Sequence, residues 1–138
     1  MYHTIIVVGR LGRDPEMRYT PSGAAVTNFS IASNRRYSDR NGEQHDETIW
    51  FRISVWGKQA ETCNQYLSRG REVLIEGRLV PDDNGNPRTF QRQDGTTGAS
   101  FEINAQTVRF LGSRDDAGNA ESSPAAPAGM QTEDDIPF

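Results

Sequence analysis

Apolar positions in the first 112 residues recur mostly at the period of two that strands require, and one stretch switches to helical spacing. Residues 4–11 form a short β-branched run, which reads as a strand buried on both faces. Gly12, Pro15 and the turn Pro21-Ser22-Gly23 punctuate a connector holding a short strand, Glu16 to Thr20. A second strand over 24–36 carries Phe29 and Ile31 on one face, and Asn41-Gly42 within 38–46 signals a hairpin to the third. That third strand, Thr48 to Trp56, puts Ile49, Phe51, Ile53 and Val55 on one face. Its other face carries Thr48, Trp50, Arg52, Ser54 and Trp56, which the core does not need. Ala60, Cys63 and Leu67 make a narrow helical stripe over 58–69, with Gly70 standing where a C-terminal cap would. Strands over 71–80 and 99–111 follow, separated by a long segment with turn signals at Asn84-Gly85 and Asp94-Gly95.

Three strands, a helix and two strands in this order predict an all-β domain with one helix. The architecture is a five-stranded antiparallel barrel of the OB-fold type, closed or nearly so, with its helix between the third and fourth strands. A β-sandwich would need more strands and no such helix. Past Gly112 the composition shifts to Ser, Ala, Pro, Gly and acids, too poor in apolar surface to offset chain entropy. The expected division is therefore a barrel over 1–112 and a disordered acidic tail over 113–138. The tail ends in Asp134-Asp135-Ile136-Pro137-Phe138, where apolar side chains follow a run of acids.

Charge sharpens that division. Residues 1–112 carry 14 Lys and Arg against 13 Asp and Glu, while 113–138 carry one against six, so the net charge of −4 hides a nearly neutral body. One cysteine excludes a disulfide framework, and His3 and His45 lack metal-ligand spacing, so no metal or cofactor is expected. Adjacent carboxylates such as Asp14 with Glu16, or Asp82 with Asp83, join no nucleophile or phosphate loop, and no enzyme is expected. The longest apolar run, Ile5 to Val8, is far short of a membrane span, and a reducing, cytoplasmic setting is the simplest expectation.

Rings interleaved with arginines on an exposed strand suit single-stranded nucleic acid, because each ring can stack on an unpaired base while cations meet the phosphates. The pattern occurs at Trp50, Arg52 and Trp56, again at Arg35 and Tyr37, and again at Arg88, Phe90 and Arg92. Lys58 is the only lysine among 15 cationic residues, and guanidinium groups both grip phosphate and stack on rings. The bland alternative has both indoles covering a hydrophobic side of the barrel or lying in a subunit contact. At the tip, Phe138 and its carboxylate fit a partner's apolar pocket beside a basic residue, against the plainer role of a solubilising extension.

The sequence resembles the bacterial-type single-stranded DNA-binding proteins. The resemblance lies in the run from Gly9 to Tyr19, in Thr48-Ile49-Trp50-Phe51-Arg52 continuing to Trp56-Gly57-Lys58, in Tyr66 to Gly70 leading to Glu76-Gly77-Arg78-Leu79, and in the tip 134–138. It implies an OB-fold homotetramer that binds single-stranded DNA without sequence preference during replication, recombination and repair. It also implies recruitment of partner proteins through the acidic tip, and association with the nucleoid. Trp50 and Trp56 match the family's stacking aromatics, Tyr37 falls where many members carry tryptophan, and Phe90 matches a further stacking position by its twelve-residue separation from Glu102. An OB-fold protein-interaction module or a single-stranded RNA binder would use the same residues.

Overall fold

The computed structural model describes residues 1–112; the acidic tail and its tip lie outside them. Its elements are β1 (Ile5–Leu11), β2 (Glu16–Tyr19), β3 (Ala25–Ser38), β4 (Gln44–Trp56), α1 (Lys58–Tyr66), β5 (Glu72–Leu79), β6 (Arg88–Gln91) and β7 (Thr97–Leu111). Five of these strands close a ring in the order β1-β5-β7-β4-β3, with β3 returning to β1 at Arg10↔Ala32 and Leu11↔Ile31. β2 adds to the edge of β3, and β6 forms a hairpin with β7. The five-stranded barrel expected from the residue pattern is thus present, with two short strands appended.

Inward positions supply the core. Leu11, Phe29, Ile31, Phe51, Ile53, Val55, Val73, Ile75 and Ile103 are buried together with Cys63 and Leu67. Each such aliphatic or aromatic side chain contributes roughly 1.5–3 kcal/mol by leaving water. The helix is tied to the barrel wall by the buried Thr27 hydroxyl, which donates to the Ala60 carbonyl at 2.6 Å. Burial pushes the Cys63 thiol up to about 11, which suits a packed apolar group rather than a nucleophile. Among the described residues no helix is long and apolar enough to cross a membrane.

Four expectations need correction. β1 is not buried on both faces: Val7 and Leu11 point inward, whereas Ile6 and Val8 are exposed. The barrel is not wholly antiparallel, because β4 and β7 run parallel from Phe51↔Phe101 to Ser54↔Asn104, which is how the ring closes. The β3–β4 hairpin is longer than the apolar pattern implied, pairing as far as Ser38↔Gln44 around a turn in which Gly42 takes a φ of +83°. Its outer part is held by polar pairs, Arg36 with Asp46 at 2.9 Å and Arg35 with Glu47 at 3.8 Å, which a hydrophobic alternation does not register. Finally, α1 ends at Tyr66 with Leu67 as its cap, three residues before Gly70. The chain leaves the helix early to dock on β1, where the Gly70 amide donates to the Leu11 carbonyl at 2.9 Å.

Candidate nucleic-acid interface

Trp50, Arg52 and Trp56 stand on the outer face of β4, as period-two alternation requires once Phe51, Ile53 and Val55 fill the barrel. Trp50 is 52% and Trp56 47% exposed, so neither indole is sealed in the interior. The Trp56 Nε1 donates to Asn104 Oδ1 at 3.3 Å, which ties that ring edge to β7. Trp50 extends over Gly12 at the end of β1, where no side chain intervenes.

Beside Trp50 runs a groove of about 650 Å³. Arg13, Asp14, Glu16 and Arg18 line one bank, and Trp50, Arg52, Ser54 and Glu102 line the other. Arg52 is level with Glu102 across the parallel β4–β7 pair, and Ser100 Oγ donates to Glu102 Oε2 at 2.8 Å. Among the described residues, Arg13, Arg18, Arg52, Arg88 and Arg92 have no carboxylate within 4.0 Å. Of these, Arg13, Arg18 and Arg52 line the partly enclosed groove, where their charge is open to an anion and less screened than on a flat surface.

The β6–β7 hairpin joins this face. Arg88 pairs with Ser100 and Phe90 with Gly98, and positions 98, 100 and 102 share one side of β7. The pattern Arg88, Phe90, Arg92 thus stands on the same side of the sheet as Arg52. Arg88 Nε also donates to the Pro81 carbonyl at 3.2 Å.

Arg35 and Tyr37 are not brought to that face. Trp50 pairs with Ala32, so the even-numbered positions of β3 share its side while Arg35 and Tyr37 stand on the opposite side of the hairpin. The Tyr37 ring stacks on His45 with centroids 5.2 Å apart, and Arg35 Cζ lies 4.7 Å from the Tyr37 centroid. His45 Nε2 meets Asp39 Oδ2 at 2.9 Å, and this contact, with amide donors from the turn, holds the Asp39 carboxyl below the ordinary carboxylate range. Lys58 is exposed at the start of α1, two residues beyond Trp56. Arg13 and Arg18 were outside the site expected from alternating ring and cation, because they reach the groove only when the β1–β2 connector folds across β3.

Residues 2–111 match the Single-strand binding protein family. The chain belongs to that family. It is 41% identical over 112 residues to a single-stranded DNA-binding protein of Neisseria meningitidis serogroup A / serotype 4A, a match covering 81% of this chain and 61% of that protein. A single-stranded DNA-binding protein of Wolinella succinogenes is 39% identical over 114 residues, covering 83% and 67% respectively. Among solved structures, the Plasmodium falciparum SSB in complex with ssDNA superposes with a TM-score of 0.67 at 27% identity, covering 81% of this chain and 97% of that one. The chain thus spans less than two thirds of the length of the Neisseria relative.

Proposed function

We propose that this member of the Single-strand binding protein family binds single-stranded DNA without base-sequence preference and performs no catalysis of its own. The observation that carries the reading is the exposed Trp50 indole beside an Arg52 guanidinium that no carboxylate among the described residues neutralises. Stacking uses a ring face that every base possesses, so affinity is indifferent to sequence, while duplex DNA hides those faces. Trp56, Phe90, Arg88 and the groove arginines Arg13 and Arg18 extend the path, and Lys58 adds a cation at its end. Arg35 and Tyr37 serve a strand that passes around the β3–β4 hairpin to its other side. The relative from Plasmodium, solved with ssDNA, supports this ligand. Quenching of tryptophan fluorescence by oligo-dT, absent with duplex, tests it, and the log-log salt slope should be about −0.7 per phosphate neutralised. Equal response to duplex and single strands would reject it.

The outer face of β1 supports an assembly of several copies. Ile6 and Val8 are exposed, and between Ile5 and Gly9 this strand is paired only with β5 among the described residues. An open strand edge with apolar side chains is a self-pairing surface, and it supports association into the homotetramer. The barrel over 1–112 is the DNA-binding domain. The tail over 113–138 recruits replication, recombination and repair proteins, with Asp134 and Asp135 meeting basic residues and Ile136, Pro137 and Phe138 entering an apolar pocket. Removing Ile136 to Phe138 should abolish recruitment and leave DNA affinity equal or higher; retained recruitment rejects the docking role.

A further inference from the structure

The β6–β7 hairpin separates two jobs that a ring-and-arginine pattern leaves merged. A Cβ on Gly98 would lie 2.6 Å from Phe90 Cζ and 2.8 Å from Arg92 Nη2, so both groups rest against the same bare strip of backbone. Arg92 Cζ stands 5.5 Å from the Phe90 ring centroid, within cation–π range. The guanidinium is itself anchored: Nη1 donates to the Thr97 carbonyl at 3.1 Å and to Thr96 Oγ1 at 3.3 Å. Thr96 is itself fixed, since its amide and its hydroxyl donate to Asp94 Oδ1 at 2.9 and 2.7 Å. The turn is closed by the Arg92 amide donating to the Thr96 carbonyl at 2.7 Å.

We infer that Arg92 is a positioning residue, which braces Phe90 against Gly98 as a preset shelf for a base and leaves phosphate contact to the other arginines. The inference rests on the single-strand reading above. A phenylalanine on an isolated two-stranded hairpin has no core to hold its rotamer, so a ring already fixed loses less freedom when a base stacks on it. Arg52 presents the contrast, because no hydrogen bond or carboxylate engages its guanidinium among the described residues.

The test titrates the full chain with oligo-dT over a range of salt, reading tryptophan fluorescence, for the unmodified protein, Arg92→Gln, Phe90→Ala and their combination. Phe90→Ala should weaken binding roughly 5- to 150-fold. Arg92→Gln should weaken it about two- to fivefold with an unchanged salt slope, and should add nothing once Phe90 is gone. Thr96→Val, which keeps the guanidinium but removes one of its anchors, should weaken binding in the same direction and again only while Phe90 is present. A slope reduced by about 0.7 in Arg92→Gln marks a phosphate ligand and overturns the inference. Loss that persists without Phe90, or no loss at all, overturns it equally. Failure of the unmodified chain to bind oligo-dT sinks the single-strand reading as well, so the two failures are told apart.

Discussion

The indole of Trp50 lies against the backbone of Gly12: a Cβ on that glycine would sit 2.7 Å from Trp50 Cζ3 and 2.8 Å from Cη2. The atoms that would have to move are the far end of a side chain on an exposed face, not backbone. Gly12→Ala should therefore leave the barrel standing, with stability within about 1 kcal/mol of the unmodified chain, while tilting the ring that a base must meet. Single-strand affinity should fall, by less than the roughly 1–3 kcal/mol expected for Trp50→Ala. Thermal unfolding and an oligo-dT titration on the same sample separate the two effects. An affinity untouched by Gly12→Ala would mean that the indole stacks in some other pose.

Arg52 and Trp56 occupy one face four register pairs apart, yet they should fail in different ways. Arg52→Gln removes a charge, so the magnitude of the log-log salt slope should drop by about 0.7. Trp56→Ala removes stacking area, so affinity should fall at every salt concentration while the slope holds. Parallel titrations at four salt concentrations resolve slope from intercept. Matching slope changes in both variants would contradict the division of labour.

These two residues were legible from alternation alone, since Phe51, Ile53 and Val55 claim the inner face of the strand and leave the other side to Trp50, Arg52 and Trp56. The same alternation gave no warning that Arg35 and Tyr37 face the other way. Only the register Ala32↔Trp50 decides that, and register is a property of two strands rather than one. Ile6 and Val8 misled for a related reason: a continuous β-branched run looks doubly buried whether the second cover is part of the same chain or not. Arg13 and Arg18 carry no periodicity at all, and the groove they line forms when β2 pairs with β3.

The apolar outer face of β1 makes a prediction about assembly. Val8→Asp places a carboxylate on the exposed side of the strand, where the isolated barrel tolerates it because water already reaches that position. Multi-angle light scattering should then report a smaller species than the unmodified chain, with the fold retained by circular dichroism. A molar mass unaffected by the substitution would move the subunit contact away from β1.

The tip of the β3–β4 hairpin carries an acid response. Asp39 accepts from His45 and from the Asn41 and Glu43 amides, at 2.8 and 2.9 Å for the two amides, and its carboxyl is lowered from 3.8, with the His45 contact the largest cause. A carboxyl whose folded value lies below its unfolded one stabilises structure above the unfolded value, and that contribution is lost as pH falls through the folded value. The tip should therefore stay ordered at neutral pH and open only in acid below about 4, ahead of the barrel, whose core holds no such group. Because Asp39 is only partly covered and lies at the hairpin tip, the effect is local rather than global. Exchange of the Asn41 and Glu43 amides, followed by NMR as pH is lowered, should accelerate over that range in the unmodified chain. In Asp39→Asn the same amides should exchange faster already at neutral pH, with little further change in acid. Exchange rates that track the barrel amides instead would show that the tip is held by the β3–β4 ladder and not by this carboxylate.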